Sequence, residues 1–169
     1  ECFEVERKLR ERMSIPVFHD DQHGTAITVA AAFMNGLIVV GKDITNVKVV
    51  SSGAGAAALA CLDLMVDLGL PLENVFVTDI DGVVYEGRNT PMGPEMLRFA
   101  QKTEHRTLAD VIDGADVFLG LSAGGVLKPE MVKSMAARPL ILALANPNPE
   151  IMTQEALAER DSVVMGTGR

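Results

Sequence analysis

Short apolar runs alternate with glycine- and proline-rich breaks along most of this chain. The runs at 47–51, 75–78, 117–121, 140–145 and 163–165 are continuous rather than alternating, which predicts strands buried on both faces. Between them, helical spacing predicts helices over 56–68, about 95–102, 129–135 and 153–159. Thr107-Leu108-Ala109-Asp110 has the form of a capping box and predicts another short helix, while Pro129 suits a first helical turn. Two helices precede the first strand. One is charged and amphipathic over 3–12, with Phe3, Val5 and Leu9 as its apolar contacts. The other, from Thr25 to Leu37, is apolar nearly all round and is expected to be buried, with Gly36 and Gly41 bracketing its exit. Residues 80–105 carry Gly82, Gly87, Pro91, Gly93 and Pro94 and are less regular. Buried strands separated by helices predict an α/β fold: a Rossmann-like, doubly wound, mainly parallel sheet with helices on both faces.

A length of 169 residues predicts one domain, with residues 1–24 as a lead-in helix and loop and 25–169 as the core. Nearly half the residues are apolar (48%) and the mean hydropathy is +0.22, which predicts that some surface is covered by a partner or another domain, with self-association as one route. A net charge of −8 without a basic run argues against nucleic acid and anionic membranes as partners. The longest apolar stretch, 26–40, is interrupted by Asn35 and Gly36, so no membrane span is expected. Cys2 and Cys61 lack metal-ligand or redox spacing, which suggests a reduced, cytoplasmic compartment. The chain opens on Glu1 rather than Met and stops just after an apparent strand, as a piece of a longer protein would.

Val49-Val50-Ser51-Ser52 leads into Gly53-Ala54-Gly55-Ala56-Ala57-Ala58, which fits G-x-G-x-x-A. The first glycine permits a tight turn and the second lets backbone approach a pyrophosphate. The last small residue lets the helix pack closely on the sheet, and phosphate charge rests on the N–H groups opening that helix. Small residues also serve ordinary close packing, but the preceding strand, the following helix and an acid ending the next strand favour a dinucleotide cradle. That acid, Asp79, is the candidate for the adenosine ribose hydroxyls; its other reading is a turn former in Asp79-Ile80-Asp81-Gly82. Asp79 and Asp81 would repel a 2′-phosphate and Arg88 or Lys102 could offset them, so NAD and NADP both stay open.

In Phe18-His19-Asp20-Asp21-Gln22-His23-Gly24-Thr25, two adjacent carboxylates lie between two imidazoles. Such a pair is tolerated when a cation or proton sits between the acids, and Mg²⁺ or Mn²⁺ prefers oxygen ligands. Two Asp residues are too few for a full site, and one of them could instead cap the helix that starts near Gly24. His19 and His23, four apart, would suit zinc on a helix. Pro16 and Gly24 argue against a continuous helix, so both histidines read as polar groups orienting a loop. Ligands gather beyond the carboxyl ends of strands in such sheets. That brings Ser122 and Ala123 in Leu121-Ser122-Ala123-Gly124-Gly125, and Asn146 in Ala145-Asn146-Pro147-Asn148-Pro149, into the candidate site. Asn146 could meet a carboxamide or a substrate carboxylate, or simply initiate a turn.

Taken in order, these motifs, with Thr78-Asp79-Ile80-Asp81-Gly82-Val83 and Leu144-Ala145-Asn146-Pro147-Asn148-Pro149-Glu150, resemble the NAD(P)-binding domain of malic enzymes. The likeness runs over essentially the whole chain and is greatest to the bacterial type that can carry a phosphotransacetylase-like region. The resemblance implies oxidative decarboxylation of (S)-malate to pyruvate and CO₂, reduction of NAD or NADP, and a divalent Mg²⁺ or Mn²⁺ acting as a Lewis acid; the apolar composition points to a homo-oligomer. It matches Asp21 to a metal ligand, Asp20 to the carboxylate beside the catalytic base, and Asn146 to a substrate contact near the nicotinamide. Gly53, Ala54, Gly55, Ala56, Ala57, Asp79, Ser122 and Ala123 fall to the coenzyme. The family's Glu-Asp metal ligands would lie before Glu1, its catalytic Tyr and Lys in an N-terminal domain, and a further Asn-containing loop after Arg169. Tyr85 does not match that Tyr, so the chain alone is expected to be catalytically incomplete. A stand-alone nucleotide-binding or regulatory module would not require the Asp20-Asp21 pair. Another two-domain dehydrogenase, such as one acting on amino acids, would leave that pair without a purpose.

Overall fold

The computed structural model describes residues 2–168. Six strands form one sheet: β1 (Val49–Ser52), β2 (Val75–Asp79), β3 (Gly82–Val83), β4 (Val117–Gly120), β5 (Leu140–Ala143) and β6 (Val164–Thr167), in the order β3-β2-β1-β4-β5-β6. Every pairing is parallel except β2 with β3. The chain starts mid-sheet at β1, builds outward through β2, then returns to the other side of β1 with β4. The crevice between β1 and β4 is therefore the switch point at which such sheets bind ligands.

Register sets what meets there. Thr78, Ser52, Gly120, Ala143 and Thr167 lie abreast in one row across β2, β1, β4, β5 and β6. The segments that follow β1, β4 and β5 consequently leave the sheet side by side.

Alternate strand residues feed two cores. Val49, Val77, Val117, Leu119, Leu140 and Leu142 pack under α2 (Thr25–Val40) and α3 (Ala56–Asp67), against Phe33, Leu37, Leu62 and Met65. Val50, Phe118, Ile141 and Ala143 face the other side, where α5 (Leu108–Ile112), α6 (Pro129–Ser134) and α7 (Thr153–Glu159) bring Val111, Ile112, Val132 and Ala156. The doubly wound expectation is met: β1, β4 and β5 are buried along their whole length because both faces of the sheet are covered.

Several local expectations change. α2 runs through Gly36 without exiting; a Cβ there would stand 2.6 Å from Leu140 Cδ2, so glycine lets the helix lie close on β5. The helix runs past Leu37 to Val40 and ends at Gly41, the second of the two bracketing glycines, whose left-handed φ of 67° lets its N–H and that of Lys42 close the last turn. Nor is α2 buried all round. Only one face meets α3 and the sheet, and Ile27 (59% exposed), Ile38 (77%) and Val39 (59%) stand outward. With its lead-in turn, Asp20–Val40 is long and apolar enough by length and composition to cross a bilayer, yet Phe33, Leu37 and Val40 are core residues here.

α1 (Cys2–Arg12) packs Phe3 against the core, exposes Val5 and Leu9, and buries Glu6 against polar groups of the 19–24 segment. The helix expected near 95–102 is a single turn, α4 (Pro94–Leu97); beyond it Gln101 turns back to bond the Leu72 and Val75 carbonyls. β3 was not foreseen. It is a two-residue edge return that pairs Gly82 and Val83 with Asp79 and Thr78.

Candidate functional site

The glycine turn is held by three hydrogen bonds, two with Thr78 and one with Leu121. Thr78 Oγ1 donates to Ser51 O (3.0 Å), Gly53 N to Thr78 O (2.8 Å) and Leu121 N to Ser52 O (2.9 Å). Gly53 has φ 114°, and a Cβ on it would stand 2.9 Å from Leu121 C, with the carbonyl oxygen closer still. Gly55 differs in kind. Its φ of −80° and ψ of 179° suit any residue, and nothing lies within 4 Å of where its Cβ would be. It caps α3 without a side chain, so the opening N–H groups of that helix take no side-chain cap. Ala54, Ala56 and Ala57 flank this opening half-buried, and Ala58 is buried beneath it. A cradle that any larger group at Gly55 would fill, at a helix N-terminus without an acid in its first turn, fits a pyrophosphate.

Asp79 ends β2 beside this turn, but its carboxylate is already engaged. Arg88 Nη1 and Nη2 donate to its two oxygens at 2.9 and 2.7 Å, and the Asp81 N–H donates to Oδ1 at 2.8 Å. The turn-forming role and a place beside the cradle therefore coexist. Hydrogen bonding to Asp79 raises the Arg88 pKa above its already high value, keeping the guanidinium charged. The Arg88 side chain is 4% exposed, and its Nε has no hydrogen-bond partner among the described residues. Arg88 is the cation beside Asp79; Lys102 makes no ion pair there.

The loops after β4 and β5 share a residue that sequence reasoning did not single out. Glu150 is fully buried. Its Oε1 accepts from Ser122 N (2.9 Å) and Ser122 Oγ (3.3 Å), and its Oε2 accepts from Ala145 N (3.1 Å). Gly120 makes room for it: a Cβ there would sit 2.5 and 2.7 Å from the two carboxylate oxygens. Ser122 Oγ also lies 2.8 Å from Ser52 Oγ, tying the loop to the end of β1. Ser122, Ala123 and Asn146 are exposed, and Asn146 Nδ2 donates to Leu144 O at 3.4 Å. The Asn146–Pro147 peptide is cis. Residues 145–149 edge a cleft of about 290 Å³ with Met152, Thr153 and the end of β6.

Asp20 and Asp21 lie on a π-helical turn (Asp20–Gly24) that runs directly into α2, not on a loop. The helical path tolerates Gly24 because the Asp20 carboxylate folds over it; a Cβ at Gly24 would lie 2.9 Å from Asp20 Cγ. Neither Asp caps the helix through its side chain. The histidines are held in place: His23 Nε2 meets Glu6 Oε1 at 2.6 Å, Gln22 Nε2 donates to Glu6 Oε2 at 3.0 Å, and the Gln22 amide contacts His19 Nδ1. Arg10 completes the group at 2.8 Å from Glu6. The Asp21 side chain is 93% exposed, with His19 Nε2 4.0 Å away. The turn packs against α3, the helix of the cradle. Among the described residues no group of three His, Cys, Asp or Glu side chains could enclose a metal, so Asp20 and Asp21 amount to part of a hard-oxygen ligand set.

Residues 22–168 match the family described as malic enzyme, NAD binding domain. The chain is 63% identical over 169 residues to the NAD-dependent malic enzyme of Rhizobium meliloti and 56% identical over 170 residues to the NADP-dependent malic enzyme of Escherichia coli. In both cases the likeness covers all of this chain and 22% of the relative, so the chain spans about a fifth of their length. A crystal structure of the NAD-dependent malic enzyme of Thermotoga maritima superposes with a TM-score of 0.89 at 41% identity, over 99% of this chain and 45% of that one.

Proposed function

From the premise that the chain belongs to the malic enzyme family and carries its NAD-binding domain, we propose that it is the coenzyme-binding part of an enzyme that oxidatively decarboxylates (S)-malate to pyruvate and CO₂. The single observation that carries this reading is the row Thr78-Ser52-Gly120-Ala143, which brings an open glycine cradle and the Ser122 and Asn146 loops to one edge of the sheet. Gly53, Ala54, Gly55, Ala56 and Ala57 hold the pyrophosphate of NAD or NADP. Asp79, oriented by Arg88, lies on the adenosine ribose side, and Ser122 and Ala123 lie toward the nicotinamide. Bound there, the coenzyme supplies a hydride acceptor. Asn146 contacts both the coenzyme and the substrate.

Asp21 is the proposed ligand of Mg²⁺ or Mn²⁺, supported by its outward carboxylate on a turn clamped by Glu6, Gln22 and His23. Asp20 stands beside the group that takes the malate hydroxyl proton. The remaining ligands and the acid–base residues come from outside this chain. Homo-oligomeric assembly belongs to the same proposal, supported by the outward apolar face of α2. A cytoplasmic location rests on two unpaired thiols. The test is malate oxidation by the full-length protein with NAD⁺ or NADP⁺ and Mn²⁺, measuring reduced coenzyme, pyruvate and CO₂ together. Equal yields of the three are expected; reduced coenzyme without CO₂ would point to another dehydrogenase.

A further inference from the structure

Glu150 has an unusual combination of properties for an acid in the sequence Asn-Pro-Asn-Pro-Glu. It is fully buried, no ion pair reaches it among the described residues, and its acceptors are taken up by Ser122 N, Ser122 Oγ and Ala145 N. These donors belong to different loops. One oxygen holds the segment that follows β4, and the other holds the segment that follows β5. The same two loops meet again where Gly125 N donates to Pro149 O (3.1 Å) and Leu127 N to Glu150 O (3.1 Å), and Gly124 approaches Asn148 so closely that a Cβ would sit 3.0 Å from its carbonyl oxygen. The end of β4 is shaped around the acid, because any side chain at Gly120 would occupy the carboxylate's position.

We infer that Glu150 is a positioning residue, its buried carboxylate fastening the Ser122 loop to the Asn146 loop and so setting the pose of both around the nicotinamide half of the coenzyme. The inference rests on the coenzyme reading above. Charge-assisted bonds from backbone N–H groups are directional and stronger than neutral ones, so a carboxylate fixes both loops where water would not. Glu150→Gln keeps the shape but turns one oxygen into an NH₂ that faces an N–H donor. One of the two loops is then released.

The experiment is fluorescence titration of reduced coenzyme into full-length wild-type, Glu150→Gln and Glu150→Asp proteins, with steady-state kinetics and thermal midpoints alongside. Glu150→Gln is expected to raise the coenzyme Kd and KM about tenfold, equivalent to about 1.4 kcal/mol. Glu150→Asp keeps the charge but reaches only one loop, and is expected to fall in between. A residue that merely stabilises the fold would lower the midpoint and the number of binding sites per molecule while leaving the Kd of the folded fraction unchanged. If Glu150→Gln does not fold, Glu150→Asp supplies the same readout. Kd values within twofold of wild type in the folded variants overturn the inference and leave the coenzyme reading intact. A wild-type protein that binds no reduced coenzyme overturns both.

Discussion

Gly55→Ala places a methyl group where no atom lies within 4 Å, on a backbone whose φ of −80° and ψ of 179° alanine adopts readily. Losing a glycine cap for alanine costs up to about 1 kcal/mol, and restricting the unfolded chain returns about 0.4–1 kcal/mol, so the folding free energy hardly changes. The methyl does occupy the space above the α3 N-terminus that a pyrophosphate would enter. Coenzyme affinity is therefore expected to fall at least tenfold, about 1.4 kcal/mol, while the thermal midpoint stays within about 3 °C. Gly53→Ala reverses the pattern. At φ 114°, with the Leu121 carbonyl carbon 2.9 Å from the new Cβ, backbone strain and overpacking together cost about 3 kcal/mol. For a domain of this size that lowers the midpoint by about 6–12 °C. Differential scanning fluorimetry gives the midpoints and coenzyme titration the affinities. If Gly55→Ala binds coenzyme as the wild type does, the space at α3 is not the phosphate site and the cradle is misassigned.

Other parts of the molecule give independent expectations. Arg88→Met leaves the Asp79 carboxylate without its bidentate partner and should destabilise the fold by about 2–4 kcal/mol in urea denaturation, a loss that Asp79→Asn in the same chain partly reverses. Burial pushes the Cys61 thiol up to about 12, so in the native state at pH 8 Ellman's reagent should titrate the exposed Cys2 and spare Cys61, with both reacting in guanidinium. Thr107→Ala removes the cap of α5 and should cost about 1 kcal/mol in the same urea assay. Asp110, the other half of that box, is held below its ordinary carboxyl pKa by the N–H groups of Arg106 and Thr107 and by the Thr107 hydroxyl. Its contribution is complete above the ordinary carboxylate range and fades as pH falls through the lowered value, so an acid titration should narrow the gap between wild type and Asp110→Asn.

Features set by local chemistry were legible in the sequence. The glycine turn is one, because backbone reversal and close approach leave few residue choices at Gly53. The Thr107–Asp110 capping box and α7 at Thr153–Glu159 are others. The continuous apolar strands carried the doubly wound architecture, since burial on both faces leaves no polar alternation to read. What escaped depends on partners distant in the chain. Glu6 and Glu150 look like surface acids by type and become buried only because Gln22, His23, Ser122 and Ala145 converge on them. Gly36 reads as one of two glycines bracketing the exit of α2, and its packing role shows only once Leu140 is placed against it. The π-helical turn at Asp20–Gly24 escaped because Pro16 and Gly24 read as breakers, whereas Gly24 is where the Asp20 side chain finds room. Asp79 is legible as the acid that ends β2, but its pairing with Arg88 depends on the β2–β3 return, which two residues of strand barely signal.

In the proposed arrangement the Gly53–Gly55 turn, Asp79 and the Ser122 and Asn146 loops form one coenzyme site on this domain. Calorimetric titration of the 169-residue chain with NAD⁺ and with NADP⁺, each with and without Mn²⁺, tests it most directly. Saturable binding at one site per chain is expected for at least one coenzyme, abolished or weakened by Gly55→Ala. A chain that melts cooperatively yet gives no binding heat with either coenzyme, at several temperatures, would contradict it.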